Sequence, residues 1–146
     1  MKLLVAGSRS ITNFDLSPYI SKEVDVIISG GADGIDFLAE QYADLHRISK
    51  YIVRPHYNLY GRAAPLKRNE KMVDMADTVL IVWDGHSKGT QHTIEYAKKV
   101  GKTTTVVLIW QKRKGKSQSN YHRWKYRFKR QEAETCHEKD QRKEQV

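Results

Sequence analysis

Thr78-Val79-Leu80-Ile81-Val82-Trp83, followed by Asp84-Gly85-His86-Ser87-Lys88-Gly89-Thr90, decides how the chain folds. The apolar run is continuous rather than alternating, as expected of a strand covered on both faces inside a parallel sheet. A glycine-containing turn follows it, and residues 90–100 read as a helix closed by Gly101, where glycine can take the left-handed conformation that ends helices. Thr103 to Trp110 supplies the next strand.

Upstream of this unit the same alternation repeats. Lys2 to Ala6 reads as a short buried strand, with the turn Gly7-Ser8-Arg9-Ser10 and a weak helix over Asp15 to Lys22 after it. Val24 to Ile28 is a second strand. The turn Ser29-Gly30-Gly31-Ala32-Asp33-Gly34 opens a helix in which Leu38, Tyr42 and Leu45 share a face with Ala39 and Ala43. Tyr51 to Arg54 gives a third strand, Pro55 begins a long loop, and Ala64 to Met75 reads as helical. Strands alternating with helices imply right-handed crossovers, so the expected fold class is α/β: a Rossmann-like three-layer sandwich with a parallel sheet of about five strands. A basic C-terminal helical tail completes the expectation.

Bulk properties narrow the function. The chain has 146 residues, enough for one core. No apolar run approaches the ~18 residues of a membrane span, and the opening segment breaks at Gly7 too early for a signal peptide, so a cytoplasmic protein without membrane attachment is expected. The lone Cys136 provides neither a disulfide framework nor a thiolate metal site, and the six histidines follow no metal-ligand spacing, so no metal or cofactor is expected. The net charge of +9 is uneven: residues 1–110 carry 14 Lys and Arg against 12 Asp and Glu, residues 111–146 carry 12 against 5. A nearly neutral body, 1–110, thus precedes a basic tail, 111–146.

Three turns at expected strand ends carry the functional reading. Glycine lets the backbone approach a ligand closely, and successive N–H groups at a helix start can point at one anion. The expected ligand-binding residues are Gly7, Ser8 and Arg9 after the first strand; Ser29, Gly30, Gly31 and Asp33 after the second; and Asp84, Gly85, Ser87, Gly89 and Thr90 after the fourth. None of these turns has the dinucleotide or P-loop glycine spacing. Arg68 offers a planar fork of donors suited to phosphate, with Asn69 beside it to read a base or ribose edge. The plain alternative is that Arg68 pairs with Glu70 or Asp74 on its own helix. Trp83, Tyr57 and Tyr60 are candidates for stacking on a base, although large aromatics at strand ends commonly just close a core.

Gly7-Ser8-Arg9, Ser29-Gly30-Gly31-Ala32-Asp33-Gly34-Ile35-Asp36, Arg68-Asn69-Glu70-Lys71-Met72, Trp83-Asp84-Gly85 and Ser87-Lys88-Gly89-Thr90 together resemble the YspA-like branch of the SLOG superfamily, in unbroken order over residues 1–110. That superfamily also contains the DNA-processing protein A and the Lonely Guy phosphoribohydrolases. The resemblance implies a Rossmann-like fold that binds nucleotides or their derivatives. Arg68 with Met72, and Gly89-Thr90, are similar to elements of the Lonely Guy enzymes. Where those enzymes place two glutamates, this chain has His92 and Thr93, and Glu95 is the nearest carboxylate. A shift of two or three residues turns a helical side chain by roughly 200° to 300°, which argues against simple transfer of the hydrolase activity.

Three readings therefore compete. The leading one is a sensor, carrier or sequestering protein for a phosphate-bearing nucleotide or nucleotide derivative. The second is hydrolysis of an N-glycosidic bond in a nucleoside monophosphate, with Glu95, Asp36 or Asp84 as the catalytic candidates. The third is single-stranded DNA binding, for which Tyr121, Trp124 and Phe128, interleaved with basic residues, would make the tail a nucleic-acid partner site. A homodimer or higher oligomer is implied by the resemblance alone.

Overall fold

A computed structural model describes residues 1–110; the segment 111–146, expected to be a basic helix, lies outside the described residues. The elements are β1 (Lys2–Gly7), β2 (Val26–Ser29), α1 (Ile35–Leu45), β3 (Ser49–Ile52), the four-residue α2 (Tyr57–Tyr60), α3 (Ala64–Met75), β4 (Thr78–Trp83), α4 (Lys88–Lys99) and β5 (Thr103–Leu108). The five strands form one sheet in the order β3-β2-β1-β4-β5, every neighbouring pair parallel. The arrangement is Rossmann-like α/β. Among the described residues no helix is long and apolar enough to cross a membrane.

Residue alternation along the strands explains how both faces are covered. Leu3 and Val5 of β1, with Ile27, Leu80 and Val82, pack against Ile35, Ala39 and Ala43 of α1. Their neighbours Leu4, Ala6, Ile28, Val79 and Ile81 are equally buried and point to the opposite face. There α3 and α4 pack on each other, α3 against β1 and α4 against β4 and β5. All six residues of β4 except Thr78 are buried.

Several boundaries differ from expectation, each for a local reason. The weak helix over 15–22 is only a 3-10 turn, Ser17–Tyr19. Instead of a helix stripe, the separately inserted Ile11, Leu16, Ile20 and Val24 cover the sheet. The second strand consequently begins at Val26, after Val24 has turned into the core. β3 lies two residues earlier than expected, Ser49–Ile52 rather than 51–54, because it is an edge strand with three exposed residues and no buried run to mark it. The long loop after Pro55 contains α2, whose start is capped by His56 Nδ1 accepting the Leu59 N–H at 3.2 Å.

Candidate anion-binding cleft

From β1 the chain moves outward through β2 to β3, then returns beside β1 as β4 and moves the other way to β5. The carboxyl ends of β1 and β4 therefore flank the place where the strand order reverses, and the connections that diverge there leave a crevice. A cleft of about 360 Å³ occupies it. Its walls come from the β1 turn (Gly7, Arg9, Ser10), from Ala32 and Asp36 at the start of α1, from α3 and from the start of α4. A volume of this size suits a small organic ligand.

Arg68 is the central cation. From α3 its Nη1–H donates to the Gly30 carbonyl at 2.6 Å and its Nε–H to Asn69 Oδ1 at 2.9 Å. Both acceptors are neutral. The carboxylates that could have paired with it on its own helix are engaged elsewhere: Glu70 meets His92 Nε2 at 3.3 Å and Lys67 at 3.5 Å, and Asp74 accepts from the Tyr96 hydroxyl at 2.9 Å. Among the described residues no carboxylate forms an ion pair with the half-buried guanidinium. Burial pulls its pKa below the usual guanidinium range, and the charge of Arg9 acts in the same direction while Asp36 opposes it. The cation thus stands under an electrostatic cost of burial that no carboxylate contact among the described residues offsets.

The absence of a side chain at Gly30 leaves room for this arrangement. A Cβ there would lie 2.8 Å from both Arg68 Nη1 and Asp36 Oδ2, so glycine lets the two side chains converge on the turn. Asp36 is buried in the first turn of α1 and lines the cleft. Its Oδ2 accepts the Ala32 N–H at 3.3 Å. Burial pushes its carboxyl up to about 6, more than the Ala32 hydrogen bond and the Arg68 charge bring it down.

Asp84 also lines the cleft but its oxygens are committed. Oδ2 accepts from the Ser10 hydroxyl at 2.7 Å, and Oδ1 from the His86 and Ser87 N–H groups at 2.8 and 2.9 Å. Burial would raise its pKa, yet these hydrogen bonds outweigh burial and hold it below the ordinary carboxylate value. It remains ionised and organises the turn that starts α4. Ser87 caps that helix, its Oγ accepting the Thr90 N–H at 3.5 Å and also the Thr90 hydroxyl at 3.0 Å.

The expected site residues divide accordingly. Gly7, Arg9, Arg68, Asn69, Asp84, Ser87, Gly89 and Thr90 meet in the cleft, as does the catalytic candidate Asp36. Ser8 and Ser29 serve the turns instead: the Ser8 hydroxyl accepts the Asp84 N–H at 3.0 Å, and the Ser29 hydroxyl donates to the Asp36 carbonyl and to Glu40. Gly31 and Gly85 provide positive φ, +70° and +83°, and Asp33 is exposed outside the cleft. Glu95 is exposed and accepts from Gln91 Nε2 at 3.1 Å; five residues after Thr90 it stands about 140° further round α4, away from the cleft. Trp83 is buried and its Nε1–H donates to the Ser87 carbonyl at 3.0 Å, so it closes the core. Tyr57 and Tyr60 are exposed and do not line the cleft.

Two polar lining residues, Ser10 and Thr93, were not expected as ligand contacts from the sequence. Ser10 ties the β1 turn to Asp84, and Thr93 stands one helical turn after Thr90 on the same face, its hydroxyl donating to the Gly89 carbonyl at 3.0 Å. Two signals were available for Thr93: the i, i+3 spacing from Thr90, and its position where the Lonely Guy enzymes have a glutamate. Among the described residues no group of three His, Cys, Asp or Glu side chains could hold a metal ion. In comparisons with known proteins, no family model matches the chain and no curated protein matches it.

Proposed function

We propose that the cleft binds the phosphate of a nucleotide or nucleotide derivative and that the protein acts as a sensor, carrier or sequestering module for it. The observation that carries this reading is Arg68: a half-buried guanidinium at the strand-order reversal, held by neutral acceptors and without a carboxylate partner among the described residues. The opposite wall offers the first turn of α4, where Ser87 and Thr90 hydroxyls adjoin a helix start. N-glycosidic hydrolysis is the weaker reading, because Glu95 faces away and Asp84 is saturated with hydrogen bonds, which leaves Asp36 alone of the three catalytic candidates in position. The test is a calorimetric and thermal-shift screen of nucleoside monophosphates, cyclic nucleotides and ADP-ribose derivatives against the full-length chain. Arg68→Met should lose about 30-fold or more in affinity for any ligand found, the worth of a charge-assisted hydrogen bond in a partly buried site. Equal binding by both proteins would abandon the cleft.

Gly89 supplies an independent check. Its φ is not positive, and a Cβ there would meet nothing within 4 Å, so the fold does not require glycine in this first turn of α4. Gly89→Ala should leave stability unchanged or raise it by up to about 1 kcal/mol, because alanine is the better helix former. The added methyl projects into ligand space, so the same variant should bind nucleotide at least tenfold more weakly, about 1.4 kcal/mol. Chemical denaturation and titration on one preparation measure both effects.

A further inference from the structure

The proposed anion site contains a carboxyl group, which is a poor neighbour for a phosphate unless a hydrogen lies between them. Asp36 is 5% exposed and lines the same cleft as Arg68. Both side chains approach Gly30, yet they remain beyond the 4.0 Å reach of an ion pair, so the guanidinium does not neutralise the carboxylate by contact. The charged groups facing Asp36 are Arg68 from α3 and Glu40 one turn along α1; Arg9 acts on Arg68 from the β1 turn, and Asp84 lies on the far wall. An anion drawn to Arg68 therefore arrives beside a buried acid whose nearest charged neighbour on its own helix is another acid.

We propose that Asp36 and the ligand's phosphate share one proton, so that the cleft selects phosphomonoesters and inorganic phosphate, which can carry a hydrogen near neutral pH, over sulfates and phosphodiesters, which cannot. The inference rests on the anion-binding reading above. The proton balance is explicit. A phosphate monoanion brings the hydrogen and donates it to the Asp36 carboxylate. Inorganic phosphate brings one as its dianion as well, whereas a phosphomonoester dianion has none and binds together with a proton taken from solvent, which resides between a carboxyl oxygen and a phosphate oxygen. Sulfate has no hydrogen to bring and binds only once Asp36 is itself protonated. The carboxyl's elevation to about 6 places that protonation within reach of mildly acidic solution.

Inorganic phosphate and sulfate, close in shape, are the probes. Their affinities for the full-length chain are measured by calorimetry at pH 5 and pH 7.5, and binding that survives in Arg68→Met is subtracted as attraction to other basic residues. The expected result is about tenfold preference for phosphate at pH 7.5, narrowing at pH 5 as sulfate gains affinity. Asp36→Asn should bind the two anions equally and without that pH dependence, because the amide N–H can donate to either. Equal affinity of the wild-type protein for both anions at pH 7.5 overturns the shared proton while leaving the anion site standing. Failure of either anion to bind in an Arg68-dependent way overturns the anion site and this inference with it. If Asp36→Asn does not fold, the wild-type phosphate-to-sulfate ratio at the two pH values decides alone.

Discussion

Replacing Asp36 by asparagine is expected to stabilise the folded protein at pH 8, by on the order of 2–3 kcal/mol, although it alters a buried residue with a hydrogen-bond partner. The sign follows from the direction of its pKa. The carboxyl titrates near 3.8 when the chain is unfolded and at about 6 when burial removes it from water. Between these values the folded state holds more protons than the unfolded state, so its stability falls as pH rises through the interval and stays low above it. Asparagine has no charge to desolvate, and its Oδ1 can still accept the Ala32 N–H that now reaches Asp36 Oδ2. Urea denaturation of both proteins at pH 4, 6 and 8 reads the effect. The two curves should lie closest together at pH 4, where the folded acid is protonated and the unfolded one is roughly 40% protonated, and should separate mainly between pH 4 and 6, with little further change to pH 8. A variant less stable than the wild type at pH 8 would mean that attraction to Arg68 outweighs burial. Such a stabilisation would accord with the proposed ligand role of Asp36, since groups placed for function commonly weaken the fold that carries them.

How much of this was legible in the sequence depended on whether a signal was local. β4 and α3 fall where they were expected, at 78–83 and 64–75, because one is an uninterrupted apolar run and the other ends at a clear change of pattern. β3 was misplaced because an exposed edge strand has no buried run, and the segment covering the sheet between β1 and β2 misled because its apolar residues insert singly. The three glycine turns were correctly seen to gather at strand ends. Their internal division of labour was not visible. The Gly30 carbonyl accepts from Arg68, 38 residues away, and Ser8 is committed to the backbone of Asp84, 76 residues away. The orientation of Glu95 was legible, since the helical period alone turns it from the face bearing Thr90.

Gly34→Ala is expected to cost at least about 3 kcal/mol, enough to bring a domain of ordinary stability close to unfolding. Gly34 is the N-cap of α1 with φ +75° and ψ −126°, outside the left-handed helical well and accessible essentially to glycine alone, which costs an alanine on the order of 1–3 kcal/mol. The larger effect is steric. A Cβ would stand 2.5 Å from the Ser8 carbonyl oxygen, 2.6 Å from that of Arg9 and 2.7 Å from the Arg9 Cα, all backbone atoms that no rotamer change can move. Gly101 provides a reference without the steric contribution: its φ is also positive, +76°, but a Cβ there meets nothing within 4 Å. Gly101→Ala should therefore lose only the conformational penalty, and the difference between the variants in chemical denaturation measures how tightly the β1 turn is pressed onto the start of α1. Similar losses in the two would show that the turn yields freely. A large difference would mean that the backbone carrying Arg9 is fixed against the helix carrying Asp36, so that two walls of the cleft are preorganised before any anion enters, a condition for strong electrostatic binding at low ordering cost.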